Sequence, residues 1–347
     1  MKNNLRQSAL ALALGFLTLG SVRAADSPGY HFLKEIPIGG DGAWDYLSVD
    51  PAARRLYVSH ATKVVVVDID KYTVVGEIPD TPGVHGIAIA ADVKRGFSSN
   101  GREAKVSMFD LDTLKLLSKV DTGQNPDCII YNPGRQEVYA FNGRNDSATV
   151  IDAKTGKAIA NIPLPGKPEF AAADPDAGRV YVNLEDRSQV AVIDAKLHRV
   201  LLTWSITPGE EASGMAIDTA THRLFIGCHN KLMEMLDPET GRVVARVPIG
   251  SGVDANAFDP GTKLAFSSNG DGTVTIARED APDKLTVVQN LATEPRMRTM
   301  ALDLKTHRIF LASAKFEAQP EAAAGAPRQR PKMIPGSFKI MVYGTEK

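Results

Sequence analysis

Asp50-Pro-Ala-Ala-Arg-Arg-Leu-Tyr-Val-Ser-His-Ala-Thr-Lys-Val-Val-Val-Val-Asp68 decides the fold. An Asp-Pro turn leads into a Tyr-Val strand, then a short connection, then a Val-rich strand that ends in Asp. Upstream stands a polar residue, Asp45, ahead of the apolar run Leu47-Ser-Val49; downstream, Thr73-Val-Val-Gly-Glu-Ile78 reads as one more strand. The same succession occurs seven times. It is opened by Asp45, His85, Asp127, Glu169, Ser213, Asp254 and Arg298, at spacings of 40, 42, 42, 44, 41 and 44 residues. A period of about 40–50 residues built from short strands marks a β-propeller with one blade per repeat. The expectation is an all-β chain with a single seven-bladed domain over 25–347, each blade having strands a to d from the axis outward.

The Val-rich strands, such as Val64–Val67 and Val190–Ile193, are apolar throughout instead of alternating. Strands covered on both faces read that way, and neighbouring blades supply the cover. Blade seven ends with Phe338-Lys-Ile-Met-Val342 and has no room for a fourth strand. Tyr30 to Ile38 resembles the fourth strands around Glu77-Ile-Pro79 and Asn161-Ile-Pro163. It is expected to complete blade seven from the N-terminal side and so hide an open edge. The Asp that follows each Val-rich strand (Asp68, Asp110, Asp152, Asp194, Asp237) fits turn chemistry, as do the Asp-Pro turns at Asp50, Asp174 and Asp259.

Charge is balanced, with 40 Lys+Arg against 41 Asp+Glu. No long basic run appears, so bulk electrostatics favour neither nucleic acid nor an anionic membrane. Residues 1–24 read as a secretory signal: Lys2 and Arg6 precede an apolar stretch from Ser8 to Gly20, and Ala24 suits cleavage. A periplasmic or secreted monomer with no membrane span after signal removal is the expectation. Cys128 and Cys228 fall in repeats three and five, which are not neighbours, so no disulfide is expected.

Arg55-Leu-Tyr-Val58, Arg179-Val-Tyr-Val182, the Val-Ile-Asp strand ends and the Thr-Gly-Lys turn at 155–157 together resemble the YVTN-repeat, or YncE-like, family of exported seven-bladed propellers. The likeness covers the chain after residue 24. Tyr57-Val-Ser-His60 and Tyr181-Val-Asn-Leu184 stand where the full Tyr-Val-Thr-Asn string would be. The resemblance implies the fold and export; the family's roles, which range from ligand or nucleic-acid binding to surface-layer assembly, leave the activity open.

Loops joining strand d to the next strand a, and strand b to strand c, open on one face. The first set brings Asp45, His85, Asp127, Glu169, Asp254 and Arg298; the second brings His60, Asn100, Asn142, His229 and Asn269. Scaffold positions repeat from blade to blade, but these residues differ, as a site for one asymmetric ligand requires. The expectation is a polar rim that binds a small molecule or a protein partner. The alternative is a metal-assisted, lactonase-like hydrolase or lyase, with His60, His85, His229 and a carboxylate from Asp45, Asp127 or Asp254 offering ligands to a divalent metal. No HxH, HExxH or CxxC spacing supports that metal set. An insertion over 317–336, rich in Pro, Ala and Gly, is expected to hang over the same rim as an irregular loop.

Overall fold

The computed structural model describes residues 29–317 and 331–345. The signal-like segment 1–24 and residues 318–330 of the insertion lie outside these. Seven four-stranded antiparallel sheets stand around an axis. Their innermost strands touch in cyclic order, the seventh returning to the first. Blade one comprises Leu47–Asp50, Arg55–His60, Lys63–Asp68 and Thr73–Ile78, and the later blades repeat it. The only helical turns among the described residues are two short 3-10 segments, Ala91–Val93 and Glu185–Arg187.

The third strand of each blade explains the continuous apolar runs. In Lys63–Asp68 and Gln189–Asp194 all four interior residues are buried. In blades one to six the ladder between strands c and d slips by one residue, as at Val66/Val67 and Val150/Ile151. Such a bulge bends and twists the strand that carries it, which suits a blade fanning outward from a narrow axis.

The ring closes as the sequence indicates. His31–Pro37 lies antiparallel to Lys339–Gly344 as the outer strand of blade seven, with Ile36 opposite Ile340. Ile36 is fully buried and shares a core cluster with Phe310 and Phe338 of blade seven and Leu56 and Val58 of blade one.

The recurrent Asp residues cap turns. Asp68, Asp110, Asp152 and Asp194 each accept the backbone N–H groups two and three residues on. The Asp ending strand a has a second task the sequence did not disclose. Asp174 accepts the Ala177 N–H with one oxygen and faces His222 Nδ1 of the next blade at 3.0 Å with the other. Asp218 pairs likewise with Lys263, Asp259 with His307, and Asp303 of blade seven with Arg54 of blade one. Each partner sits in a left-handed backbone conformation one residue before strand b, which turns its side chain across the seam.

Arg54 meets Asp303 through both carboxylate oxygens at 2.8 and 2.9 Å, and Asp303 is fully buried. Removing the guanidinium strands a buried charge, so Arg54→Ala should lower unfolding free energy by about 3 kcal/mol. Urea unfolding checks this; a loss no larger than that of an exposed-lysine variant such as Lys154→Ala would show that the seam does not depend on the pair.

Cys128 and Cys228 are free thiols buried in separate core clusters. Along the axis the innermost strands enclose a cavity of about 580 Å³ whose walls include Ile87, Ile89, Phe170, Phe258 and Leu302. Tyr46 and Phe170, from blades one and four, meet across it with ring centroids 5.2 Å apart. The polar mouth therefore stands over an apolar, ring-plugged channel. No helix among the described residues is long and apolar enough to cross a membrane.

Candidate functional site

Seven residues open strands a at one end of the axis, and the fold fixes each by its backbone. The carbonyls of several are held by the preceding blade: His85 O accepts Tyr46 N–H at 3.2 Å, Asp127 O accepts Ser99 Oγ at 2.5 Å, and Ser213 O accepts Asn183 Nδ2 at 2.6 Å. Arg298 O accepts the Ser268 hydroxyl, and the Asp45 N–H donates to Ser59 Oγ at 2.8 Å. The recurrent Ser in strand b is the sequence signal for these anchors. Only glycine fits after His85, because a Cβ on Gly86 would stand 2.8 Å from the Ile129 side chain and 3.1 Å from the Asp127 carbonyl oxygen. Blades two and three thus approach closely where His85 meets Asp127.

At the centre of the mouth, His85 Nδ1 lies 2.7 Å from Asp45 Oδ2 and 3.7 Å from Asp127 Oδ1. One ligand atom from each of Asp45, His85 and Asp127 can be chosen so that all lie within 4.8 Å of one another. Around the remaining arc, Lys167 faces Glu169 at 3.4 Å and also bonds Glu185, and Arg298 Nε lies 3.2 Å from Asp254 Oδ2. Lys167 belongs to the mouth and was not singled out in the sequence.

The mouth acids and His85 are only 16–28% exposed, so their charges are poorly hydrated. Burial opposes the charged imidazole of His85, but the Asp45 hydrogen bond and the charges of Asp127, Asp45 and Glu169 outweigh it and raise its pKa to about 9. Burial and then the Asp45 charge push Asp127 up to about 7 against the pull of His85. Burial and then Asp127 push Glu169 up to about 8. Asp254 rises to about 6 by burial, restrained by Arg298. Three carboxyl groups shifted upward describe a site short of positive charge.

The structure does not gather all the expected rim residues. His60 ends strand b, one radial step out from the axis. It is 2% exposed and stacked on Phe338 with centroids 4.5 Å apart. His229 lies on the surface opposite Glu211 at 3.3 Å. The set His60, His85 and His229 therefore forms no common metal cluster; the donors that converge with His85 are the carboxylates of Asp45 and Asp127. Asn100, Asn142 and Asn269 are fully buried and turned into their own hairpins. Their Nδ2 groups donate to Ser107, to Ser147 and Thr149, and to Thr273 and Thr275. The two loop sets share a face but not a radius. Only the strand-a set reaches the axis.

Fold and mouth together define a seven-bladed β-propeller with an ionisable axial opening. Among the many solved structures that resemble it is one titled Kuenenia stuttgartiensis Hydrazine Synthase, with a TM-score of 0.69. The two share 16% sequence identity over 86% of this chain and 96% of that one, a likeness of fold alone. No protein-family model matches the chain, and no curated protein matches it in sequence.

Proposed function

We propose that this protein is a ligand-binding propeller whose axial mouth captures a small molecule through a positively charged group. The observation that carries the reading is the convergence of Asp45, Asp127, Glu169 and Asp254 on one opening, with three of their carboxyls raised to about 7, 8 and 6. Protons taken up there do the work a cation would do better. An ammonium group entering the mouth would displace them and gain charge-assisted hydrogen bonds in a poorly hydrated setting. The resemblance to exported YVTN-repeat propellers supports placing the protein outside the cytoplasm. A mature N-terminus at Ala25 on protein isolated from its natural source tests that placement.

A second reading rests on the Asp45, His85 and Asp127 donors, whose N and O ligands suit a borderline divalent cation. A metal there would polarise an ester or lactone carbonyl, and protonated Glu169 would serve as general acid.

Calorimetric titration at pH 8 separates the two, using zinc and manganese salts on one side and putrescine, ethanolamine and arginine on the other. The mouth reading expects binding by at least one of these that Asp127→Ala weakens by about tenfold or more. His85→Gln should abolish metal binding and change amine binding by only about threefold. Binding that is indifferent to Asp127→Ala, or no binding by any probe, would retire the mouth as the ligand site.

A further inference from the structure

A second cavity of about 780 Å³ lies off the axis between blades one, six and seven, and the mouth chemistry does not use it. One wall is apolar. Trp44 and Phe316 stand with ring centroids 6.1 Å apart, and Met333 completes the surface. That wall is held from behind: Trp44 stacks on Phe338 at 5.0 Å, and Phe338 on His60 at 4.5 Å. Phe316 is held in turn by its β-bridge to Met333.

The other wall carries positive charge. Arg296 has its backbone set in the left-handed region at φ 75°, with its N–H bonded to Gly270 O at 2.8 Å. Its guanidinium carbon lies 4.7 Å from the Phe316 ring centroid. Lys332 lines the same space. Among the described residues, neither cation has a carboxylate partner. Arg298 also lines the cavity, but it is paired with Asp254. Among the described residues the one acid on the lining is Asp41, which accepts the Gly336 N–H at 3.3 Å. At the back of the cavity stands Thr299. It is 5% exposed, and its hydroxyl has no hydrogen-bond partner. A buried hydroxyl left unpaired is destabilising until something supplies the missing bond.

Two rings, two unpartnered cations and an orphaned hydroxyl around one cavity have a common complement. We propose that this cavity binds a flat apolar carboxylate, an aromatic acid. Its ring lies against Trp44, Phe316 and Met333, and its carboxylate lies between Arg296 and Lys332 within reach of the Thr299 hydroxyl. Arg guanidinium suits a planar carboxylate because its N–H groups match both oxygens, and its cation can remain stacked on Phe316 while it binds. Among the described residues the cavity shares Arg298 with the axial mouth and none of the mouth's acids, so the proposal does not depend on what the mouth binds.

Calorimetry on the full chain with 2-naphthoate as probe tests this, with 2-naphthalenemethanol as the uncharged control. The acid should bind at least about tenfold more tightly than the alcohol. Arg296→Met keeps an apolar cover on Phe316 but removes the charge; it should weaken the acid by about tenfold and leave the alcohol unchanged. Thr299→Val should raise the melting temperature of the unliganded protein while weakening the acid, a pairing that a purely structural role for the hydroxyl would not produce. Asp127→Asn should leave naphthoate affinity within about twofold, so that failure here and failure of the mouth reading are told apart. Equal affinity for acid and alcohol, naphthoate affinity unchanged by Arg296→Met, or no detectable naphthoate binding would each overturn the proposal.

Discussion

Ile36→Asp should bring the protein close to unfolding in the absence of denaturant. The residue is fully buried at the seam where the N-terminal strand closes blade seven against blade one. The substitution removes an apolar side chain from a packed cluster and puts a carboxylate in its place. Emptying such a site is destabilising by about 2–5 kcal/mol, and the unpaired charge adds to that. A native domain has only about 5–15 kcal/mol in hand. Loss of the strand would also expose Lys339–Gly344, whose six residues are all buried, as an open edge able to pair with another chain. Lys34→Gln, at an exposed position of the same strand whose ammonium lies 5.1 Å from the Tyr72 ring centroid, should cost no more than about 1 kcal/mol. Urea midpoints for the two variants give the comparison. If Ile36→Asp unfolds no earlier than Lys34→Gln, the strand does not hold the ring closed.

The blades were legible because a strand sandwiched between neighbours must be apolar on both sides, and Val64–Val67 or Val190–Ile193 can be read that way without coordinates. The turn Asp residues were legible because an Asx cap is a local arrangement. The mouth was half legible. The position before each strand a is fixed by the repeat, so Asp45, His85, Asp127, Glu169, Asp254 and Arg298 could be assigned to one ring. Radial distance is a property of the assembled ring, and that is why His60 and the three Asn residues were grouped with a site they do not reach. The same holds for the seam pairs. Asp174 looks like any other turn Asp until His222 of the next blade, in its left-handed conformation, is folded against it. The off-axis cavity draws on three blades at once, and no single repeat contains its pattern.

Between pH 6 and 9 the stability of the unliganded protein should fall steadily, and the mouth should be the cause. The sign follows from each shift. His85 has its folded pKa raised to about 9, so its contribution is complete below its ordinary range near 6.5 and is lost as pH rises through 9. Asp127, Glu169 and Asp254 are raised to about 7, 8 and 6 from the usual carboxyl range. In each, the folded state holds a proton that the unfolded chain has released, so each also destabilises the fold as pH climbs from about 4 through its folded value. All four act in one direction. Near neutrality the folded protein holds about two more protons than the unfolded chain at these sites, a slope on the order of 3 kcal/mol per pH unit. Asp127→Asn with Glu169→Gln removes two of the four titrations. That variant should match the parent near pH 4 and exceed it in melting temperature at pH 8. A parent stability that does not fall relative to the double variant over this range would mean that the mouth is not short of positive charge. The same protons govern capture. A cation entering the opening must displace them, so its affinity should rise with pH to about 8 and fall on acidification. Affinity that instead fell with rising pH would show that the ligand enters with a proton and not in place of one.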